Sequence, residues 1–449
     1  MTDLEDSQTS HWEGRTLHFV GIGGAGMSGL AILASSMGAE VSGSDASESI
    51  FTRSLRRHDR IRLTIGHGAE NVPDSAEVVY SSAIAADNVE RAHARSRGQA
   101  ELHRSGLLAQ LTEVCRTVAV AGAHGKTTTS ALLSHVLTEV SAQIGGTPSY
   151  IIGGLMGPPA PHAAAGASDV LVIEADESDR SLLNYDVAVA VVTNIDLDHV
   201  ADAAGYSTRA DVRDVMRQFA DSAEVTVADP EVMDELDPAN ERVVARVRSL
   251  GAGHFEVDGH TYATNLPGEH NVANAGLVVT TALYLGGAPV DIARALSSFP
   301  GLRRRFELRG TTAQGARVFD DYAHHPTEVA SAIRAARTLT SGPVVAVFQP
   351  HLYSRTSHFA ADFAQALSEA DLGLLDEIYP AREKQDDFPD VTSGLIAAAL
   401  PTVRSIEYPP STADLVARIT EAASSSDAIV LLLGAGSIGK LADEIVTGE

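Results

Sequence analysis

The ten residues Ala121–Ser130, AGAHGKTTTS, set the tightest limit on what this chain can become. They follow an apolar β-type run, Thr117-Val118-Ala119-Val120, and lead into a segment of helical character at residues 130–140. A glycine-rich turn between strand and helix aims backbone N–H groups at a helix N-terminus, where phosphate oxygens bind well. Lys126 adds a mobile positive charge, and the Thr127 hydroxyl is suited to Mg²⁺. Gly122 precedes Gly125 by three positions, a shorter loop than the usual GxxxxGK[ST] spacing. Glycine-rich turns without ligands are common, but the following GKTTT weighs against that reading here.

Composition narrows the class. A chain of 449 residues exceeds one ordinary core, and two to three domains are expected. No apolar run approaches the roughly 18 residues needed to span a bilayer. The opening MTDLEDSQTSHWEGR is acidic and polar, unlike a secretory signal, and residues 1–14 are expected to be a disordered lead-in. One cysteine, Cys115, excludes an internal disulfide framework and fits a reducing cytoplasm, with the thiol expected buried and inert. A net charge of −26 argues against nucleic-acid or anionic-membrane binding, while leaving room for small anionic substrates at local positive sites. Only Lys126, Lys384 and Lys440 are lysines, and one of them falls in the phosphate loop.

Along the chain, strand-like and helix-like segments alternate from residue 15 to 109, which predicts a parallel, doubly wound α/β unit. A second block starts near Thr117 and includes the apolar strands at 169–174 and VAVAVVTNI. Residues 200–260 are acidic and mixed in character, and HNVANAGLVVTTALYLG reads as an amphipathic helix. A third block opens after Pro300-Gly301, whose junction with Arg303-Arg304-Arg305 is the expected hinge. It carries strands at ARVFDDYA, PVVAVFQP and DAIVLLLGAG, and a helix at 357–368.

A second glycine-rich loop, Gly21-Ile22-Gly23-Gly24-Ala25-Gly26, matches GxGxxG after a strand and before a helix. Asp45 ends the next strand, about where an acidic residue meets a ribose hydroxyl. The C-terminal run Gly434-Ala435-Gly436-Ser437-Ile438-Gly439 also matches, yet only ten residues follow it, so it reads as a tight strand-to-helix turn. The first loop is accordingly read as a diphosphate cradle for an unspecified ligand. Acidic groups then cluster after two apolar strands: Glu174, Asp176, Glu177 and Asp179, and later Asn194, Asp196, Asp198, His199 and Asp202. Strand ends of this kind face ligands in α/β sheets. Thr127 and Glu174 are the chosen Mg²⁺ ligands, with His199 at a second metal position; the other acids are read as a solvated loop face.

AGAHGKTTTS, EADESD, VTNIDLDH, GEHNVANA, LRRRFE, DDYAHHPTE and FQPHLYSRT occur in this order over almost the whole chain. Together they resemble the Mur ligases of peptidoglycan synthesis, and HFVGIGGAGMSGLA with EADESD is similar to the branch that adds the first amino acid. The resemblance implies three α/β domains: a Rossmann-like UDP-sugar domain at 15–109, a P-loop ATPase-type domain at 110–301, and a Rossmann-like amino-acid domain at 302–449. It implies ATP and Mg²⁺ as cofactors, and a cytoplasmic enzyme joining the lactyl carboxylate of UDP-N-acetylmuramate to L-alanine through an acyl phosphate. Partners are then small molecules alone, with no nucleic acid and no membrane insertion, and the oligomeric state is left open.

The same resemblance assigns residues. Gly122, Ala123, His124, Gly125, Lys126, Thr127 and Thr128 would hold ATP, joined by Asn271, Asn274, Asp321 and His324. Helix-start polarity is an equal reading for the two asparagines, and His325 is read as turn structure beside Pro326. The UDP-sugar would lie on Gly21, Gly23, Gly24, Ala25, Gly26, Met27, Asp45, Ser81 and Ser82. Lys126, His199 and Arg305 would carry catalysis, with Arg305 reaching the transferring phosphoryl group. His351 and Arg355 would bind the amino acid, Arg355 by forking onto its carboxylate. Leu352 stands where some relatives carry a basic residue. No lysine lies between Lys126 and Lys384, so a carbamoylated lysine in the central domain is impossible. Three rivals stay open: a recycling ligase that adds a tripeptide to the same sugar, an NAD(P)-dependent oxidoreductase, and a non-catalytic nucleotide sensor.

Overall fold

The computed structural model describes residues 12–157, 161–197, 205–400 and 405–446. The apolar strand runs of the sequence assemble into three main sheets. The first has the order β3-β2-β1-β4-β5, built from β1 (Thr16–Val20), β2 (Glu40–Asp45), β3 (Ile61–Ile65), β4 (Glu77–Tyr80) and β5 (Glu101–His103), all parallel. The chain reverses its winding between β1 and β4, and ligands bind beyond the carboxyl ends of strands at such a reversal.

The second sheet runs β12-β11-β10-β6-β9-β7-β8, from β6 (Arg116–Ala121), β7 (Ser149–Ile151), β8 (Ala163–Ala164), β9 (Val170–Glu174), β10 (Val189–Val192), β11 (Val225–Ala228) and β12 (Glu241–Val244). Strands β6, β9 and β10 are almost wholly buried, which is why they read as continuous apolar runs instead of alternating ones. Strand β6 lies between β9 and β10, so the loop that follows it is flanked by the carboxyl ends of both. The helix beyond that loop spans Lys126–Glu139, starting four residues before the expected residue 130 because Gly125, in the left-handed conformation, caps it.

The stretch 200–260 resolves into a helix (Arg209–Ser222), β11, a short helix (Pro230–Leu236), β12 and a small antiparallel sheet of β13 (Arg248–Gly251), β14 (His254–Val257) and β15 (His260–Ala263). Asp258-Gly259, both at positive φ, turns β14 into β15. That Asp-Gly pair is a hairpin signal that the sequence reading left unused. Phe255 and Tyr262 face each other across it with ring centroids 5.8 Å apart.

The third main sheet runs β16-β17-β21-β18-β19-β20, from β16 (Glu307–Thr311), β17 (Arg317–Asp321), β18 (Val344–Phe348), β19 (Leu372–Leu375), β20 (Ile406–Glu407) and β21 (Ile429–Leu433). Antiparallel β16 forms one edge. Two buried apolar clusters pack on this sheet, one including Phe319, Phe348 and Phe363, the other Val318, Val347 and Leu432.

By packing, the chain divides into two compact units, one drawn from Met1–Ile195, Ala210–Ala245 and Leu277–Ala295, the other from Asp196–Arg209, Arg246–Gly276 and Leu296–Glu449. The first two main sheets therefore share a unit. Residues 246–276 and 296–301, expected in the central block, pack in the second unit. Gly276, in the helix Glu269–Tyr284, packs closely on residue 247: a β-carbon there would sit 2.1 Å from Val247 Cγ2.

The expected lead-in also needs correction at its end. Residues 1–11 lie outside the described residues, but Trp12–Gly14 form a turn with Trp12 fully buried under the Arg15 guanidinium, 4.8 Å from the ring centroid. Cys115 is half-buried rather than fully buried as expected, and burial followed by nearby Asp169 pushes its thiol up to about 11, which disfavours the reactive thiolate.

Candidate functional site

The loop of residues 122–125 is held from both sides. Thr193 and Asn194, just past β10, clamp it: Asn194 Oδ1 accepts from His124 N at 2.9 Å, and Asn194 Nδ2 and Thr193 Oγ1 donate to His124 O at 2.7 and 2.6 Å. Gly122 sits at φ 130°, and a β-carbon there would lie 2.1 Å from Thr193 Oγ1. On the other side Glu174, ending β9, accepts from Thr127 Oγ1 and Ser130 Oγ at 3.2 Å and from Gly153 N at 2.6 Å. Thr127 and Glu174, the two expected Mg²⁺ ligands, are hydrogen-bonded to each other.

Lys126 folds back over its own loop. Its Nζ donates to Gly122 O (2.7 Å), Ala123 O (3.2 Å) and both oxygens of Glu177 (3.0 and 3.2 Å). Burial opposes the charge on Lys126, but the carboxylates of Glu177, Asp176 and Glu174 outweigh it and hold the ammonium firmly protonated. Glu177, expected on a solvated loop face, is instead buried, 1% exposed, and is the ion-pair partner of Lys126. Its position three residues past Glu174 was the available signal.

In the first sheet, the loop after β1 is organised by β2. Gly21 N and Ile22 N donate to Ser44 O at 2.8 and 2.9 Å, and Gly23 N donates to Asp45 Oδ2 at 2.8 Å. Asp45 therefore shapes the loop, and its carboxylate keeps acceptor capacity beyond that bond. Gly24 caps the helix Ala25–Ser36, which contains Gly26 and Met27. Ser81 and Ser82 follow β4 directly, across the reversal from the Gly21–Gly26 loop. Buried Ser28 on that helix meets buried His162 at 2.8 Å, and burial, then His58, lowers His162 to about 4.

The second unit brings together a different set. Asp321, ending β17, accepts from Phe306 N (2.7 Å) and Ala323 N (2.8 Å); burial raises its carboxyl to about 6 despite nearby Arg305. The Arg305 guanidinium lies 5.2 Å from the Tyr322 ring centroid. His324 and His351 are edge to face at 6.0 Å, and His351 stacks on Tyr379 at 5.8 Å. Arg355 lies in the first turn of the helix Tyr353–Leu367, which begins four residues before the expected 357. The GAGSIG run follows β21 as a tight turn: Gln349 Oε1 accepts from Ser437 N and Ile438 N, and Arg304 donates to Gly434 O and Ala435 O. Those N–H groups are spent inside the fold, in agreement with the turn reading.

His325 is buried and caps the helix Pro326–Leu339, as its turn reading required. Asn271 and Asn274 are buried, with Asn271 Nδ2 donating to Pro267 O and Asn274 Nδ2 to Asn271 Oδ1, which favours the helix-start reading of the pair. His199, Asp198 and Asp202 lie outside the described residues.

A strand–loop–helix with a lysine at its throat and a carboxylate on the neighbouring strand end defines a phosphate-binding enzyme core of the α/β class. The family described as "Mur ligase family, catalytic domain" matches residues 16–115, and "Mur ligase, glutamate ligase domain" matches 304–436. UDP-N-acetylmuramate–L-alanine ligase of Renibacterium salmoninarum is 40% identical, over 94% of this chain and 93% of that protein. The protein of the same name from Streptomyces griseus is 38% identical over 96% of each. The crystal structure of UDP-N-acetylmuramate-alanine ligase from Thermotoga maritima matches with a TM-score of 0.77 at 27% identity, covering 96% of this chain and 98% of that one. A murein peptide ligase from Psychrobacter arcticus shares the fold, with a TM-score of 0.67 at 22% identity over 96% and 98%. The chain belongs to the Mur ligase family.

Proposed function

We propose that this chain is an ATP-dependent ligase that joins L-alanine to the lactyl carboxylate of UDP-N-acetylmuramate, releasing ADP and phosphate, in peptidoglycan precursor synthesis. The names of its relatives at 36–40% identity over nearly the whole chain support the substrates. The observation that carries the chemistry is the loop of residues 122–125, gripped by Asn194 and opening between Lys126 and Glu174. UDP-sugar binding is proposed for 15–109, ATP binding for 110–301 and amino-acid binding for 302–449, in the cytoplasm.

A carboxylate is a poor acyl donor, so its oxygen first attacks the γ-phosphorus and ADP departs. The amine of L-alanine then attacks the acyl carbon, the tetrahedral intermediate expels phosphate, and the amine loses a proton. Two anions meet in the first step, so positive charge aimed at the transferring group dominates catalysis. Lys126 would exchange Glu177 for the β- and γ-phosphate oxygens, and Arg305 would meet the transferring phosphoryl group. Thr127 and Glu174 present hard oxygens 3.2 Å apart, a donor set that fits Mg²⁺, with His199 proposed for a second position. Bound there, the metal would neutralise phosphate charge. Arg355, together with His351, would orient the alanine carboxylate, and Asp321 and His324 would lie on the nucleotide side.

The test is phosphate release from ATP with UDP-N-acetylmuramate, with and without L-alanine, beside a tripeptide arm and an NADH absorbance control. Release that needs L-alanine is expected. Release that needs the tripeptide instead reassigns the chain to recycling, and NADH turnover without phosphate release overturns the ligase.

A further inference from the structure

The reaction makes no use of a buried polar chain beneath the first sheet. Glu90, fully buried in the helix Val89–Ser96, accepts from Ser44 Oγ (2.5 Å), Asn71 Nδ2 (2.7 Å) and Gly68 N (3.1 Å). His18 Nε2 faces the same carboxylate at 3.5 Å. Ser44 Oγ also meets His67 Nδ1 at 2.8 Å. These groups come from β1, β2, the turn after β3 and one helix, and they meet directly under the loop whose Gly21 and Ile22 donate to Ser44 O.

The hydrogen-bond geometry orders the protons along this chain. The hydrogen bonds to Glu90 outweigh its burial and hold its carboxyl down at about 2, so it only accepts. Ser44 has one hydroxyl proton, and Glu90 takes it. The Ser44 oxygen can then only accept from His67, which places a proton on His67 Nδ1. In the neutral ring Nε2 is left as a bare acceptor. His67 is partly open to solvent, its side chain 21% exposed, one residue past Gly66, whose N–H donates to Asp45 O. A diphosphate on the Gly21–Gly26 loop and a ribose at Asp45, the end of β2, would leave the base on the side of the neighbouring β3, whose following turn carries His67.

We infer that the Glu90–Ser44 pair is a positioning device that fixes the tautomer of His67, so that His67 Nε2 accepts a hydrogen bond from an N–H or O–H donor of the nucleoside of the UDP-sugar. The inference rests on the UDP-sugar reading above, and its test separates the two. Histidine ¹⁵N shifts of the full chain at mildly alkaline pH, without ligand, should show His67 protonated at Nδ1. Ser44→Ala removes that acceptor with little change in volume, leaves Nδ1 facing only Glu90 Oε2 at 3.5 Å, and should raise the share of His67 rings protonated at Nε2. Calorimetric affinity for UDP-N-acetylmuramate should fall about tenfold in Ser44→Ala, the loss of one hydrogen bond. The KM for ATP should not move. His67→Ala should weaken the UDP-sugar by a similar factor, and the Ser44→Ala/His67→Ala double variant should lose no more than His67→Ala alone. Wild-type His67 protonated at Nε2, or an unchanged UDP-sugar affinity in a well-folded Ser44→Ala protein, overturns the relay while the ligase reading stands. A wild-type chain that does not bind UDP-N-acetylmuramate at all overturns both.

Discussion

Lys126 and Glu177 show how much one ion pair can hold in reserve. The pair is nearly buried, with side chains 14% and 2% exposed, so removing one partner strands the other charge. Lys126→Ala is expected to lower kcat roughly a thousandfold or more with little loss of UDP-sugar affinity. It should also destabilise the fold by about 3 kcal/mol, because Glu177 is left alone. Adding Glu177→Gln should restore the melting temperature without restoring turnover; recovery of both would remove Lys126 from the chemistry. Glu90 makes a second residue-scale prediction. Its pKa lies below the unfolded value, so its stabilisation is complete above about pH 4.5 and is lost as pH falls toward about 2. Glu90→Gln should therefore flatten the acid limb of a stability–pH curve. An unchanged acid limb would mean that the buried carboxylate is not ionised. Asp321 runs the other way: its pKa, raised to about 6 by burial, favours the folded state when protonated, and that stabilisation fades as pH rises from about 4 to 6. The difference in melting temperature between wild type and Asp321→Asn should vary across that window and be constant above it.

Loops and their flanking strands were legible to different depths. The stretch Ala121–Ser130 announced itself because glycine spacing, lysine and hydroxyls are local features. The clamp on it was not legible as a clamp, since Thr193 and Asn194 come from a strand some 70 residues away, brought alongside by the β6–β10 pairing. Gly122→Ala tests the element as a unit. The new methyl would meet Thr193 Oγ1 and the Asn194 backbone, at a φ that L-residues rarely adopt. Nucleotide affinity measured by calorimetry should fall at least tenfold, while UDP-sugar affinity stays unchanged. At the start of the helix Tyr353–Leu367, Arg355→Lys should raise the KM for L-alanine about tenfold, because an ammonium cannot reproduce a forked guanidinium contact. An equal rise in the KM for ATP would move Arg355 to another role. The Asp258-Gly259 hairpin is written in local residue types, whereas the helix starts at Lys126 and Tyr353 follow caps at Gly125 and Leu352 whose backbone angles no pattern of residue types displays.

Across the molecule, the Gly21–Gly26 and Gly122–Gly125 loops belong to the same compact unit, whereas Arg305, Asp321, His351 and Arg355 belong to the other. Hydrogen exchange should follow that division. UDP-N-acetylmuramate should protect amides near 20–28 and 66–71, and a non-hydrolysable ATP analogue those at 121–130. L-Alanine, added with both, should protect amides near 350–356. Protection of 121–130 by the UDP-sugar alone would contradict separate cradles. Strand runs, glycine turns and seven short motifs were enough to fix the α/β class and the ligase family, because each of these features is made by neighbours a few residues apart. The partner of Lys126, the clamp at Asn194, the burial of Trp12 and the proton chain from Glu90 to His67 arise from contacts between distant segments. Burial makes those contacts matter, since a charge or hydroxyl withdrawn from water must find its partner in the fold, and the linear order of residues does not name that partner.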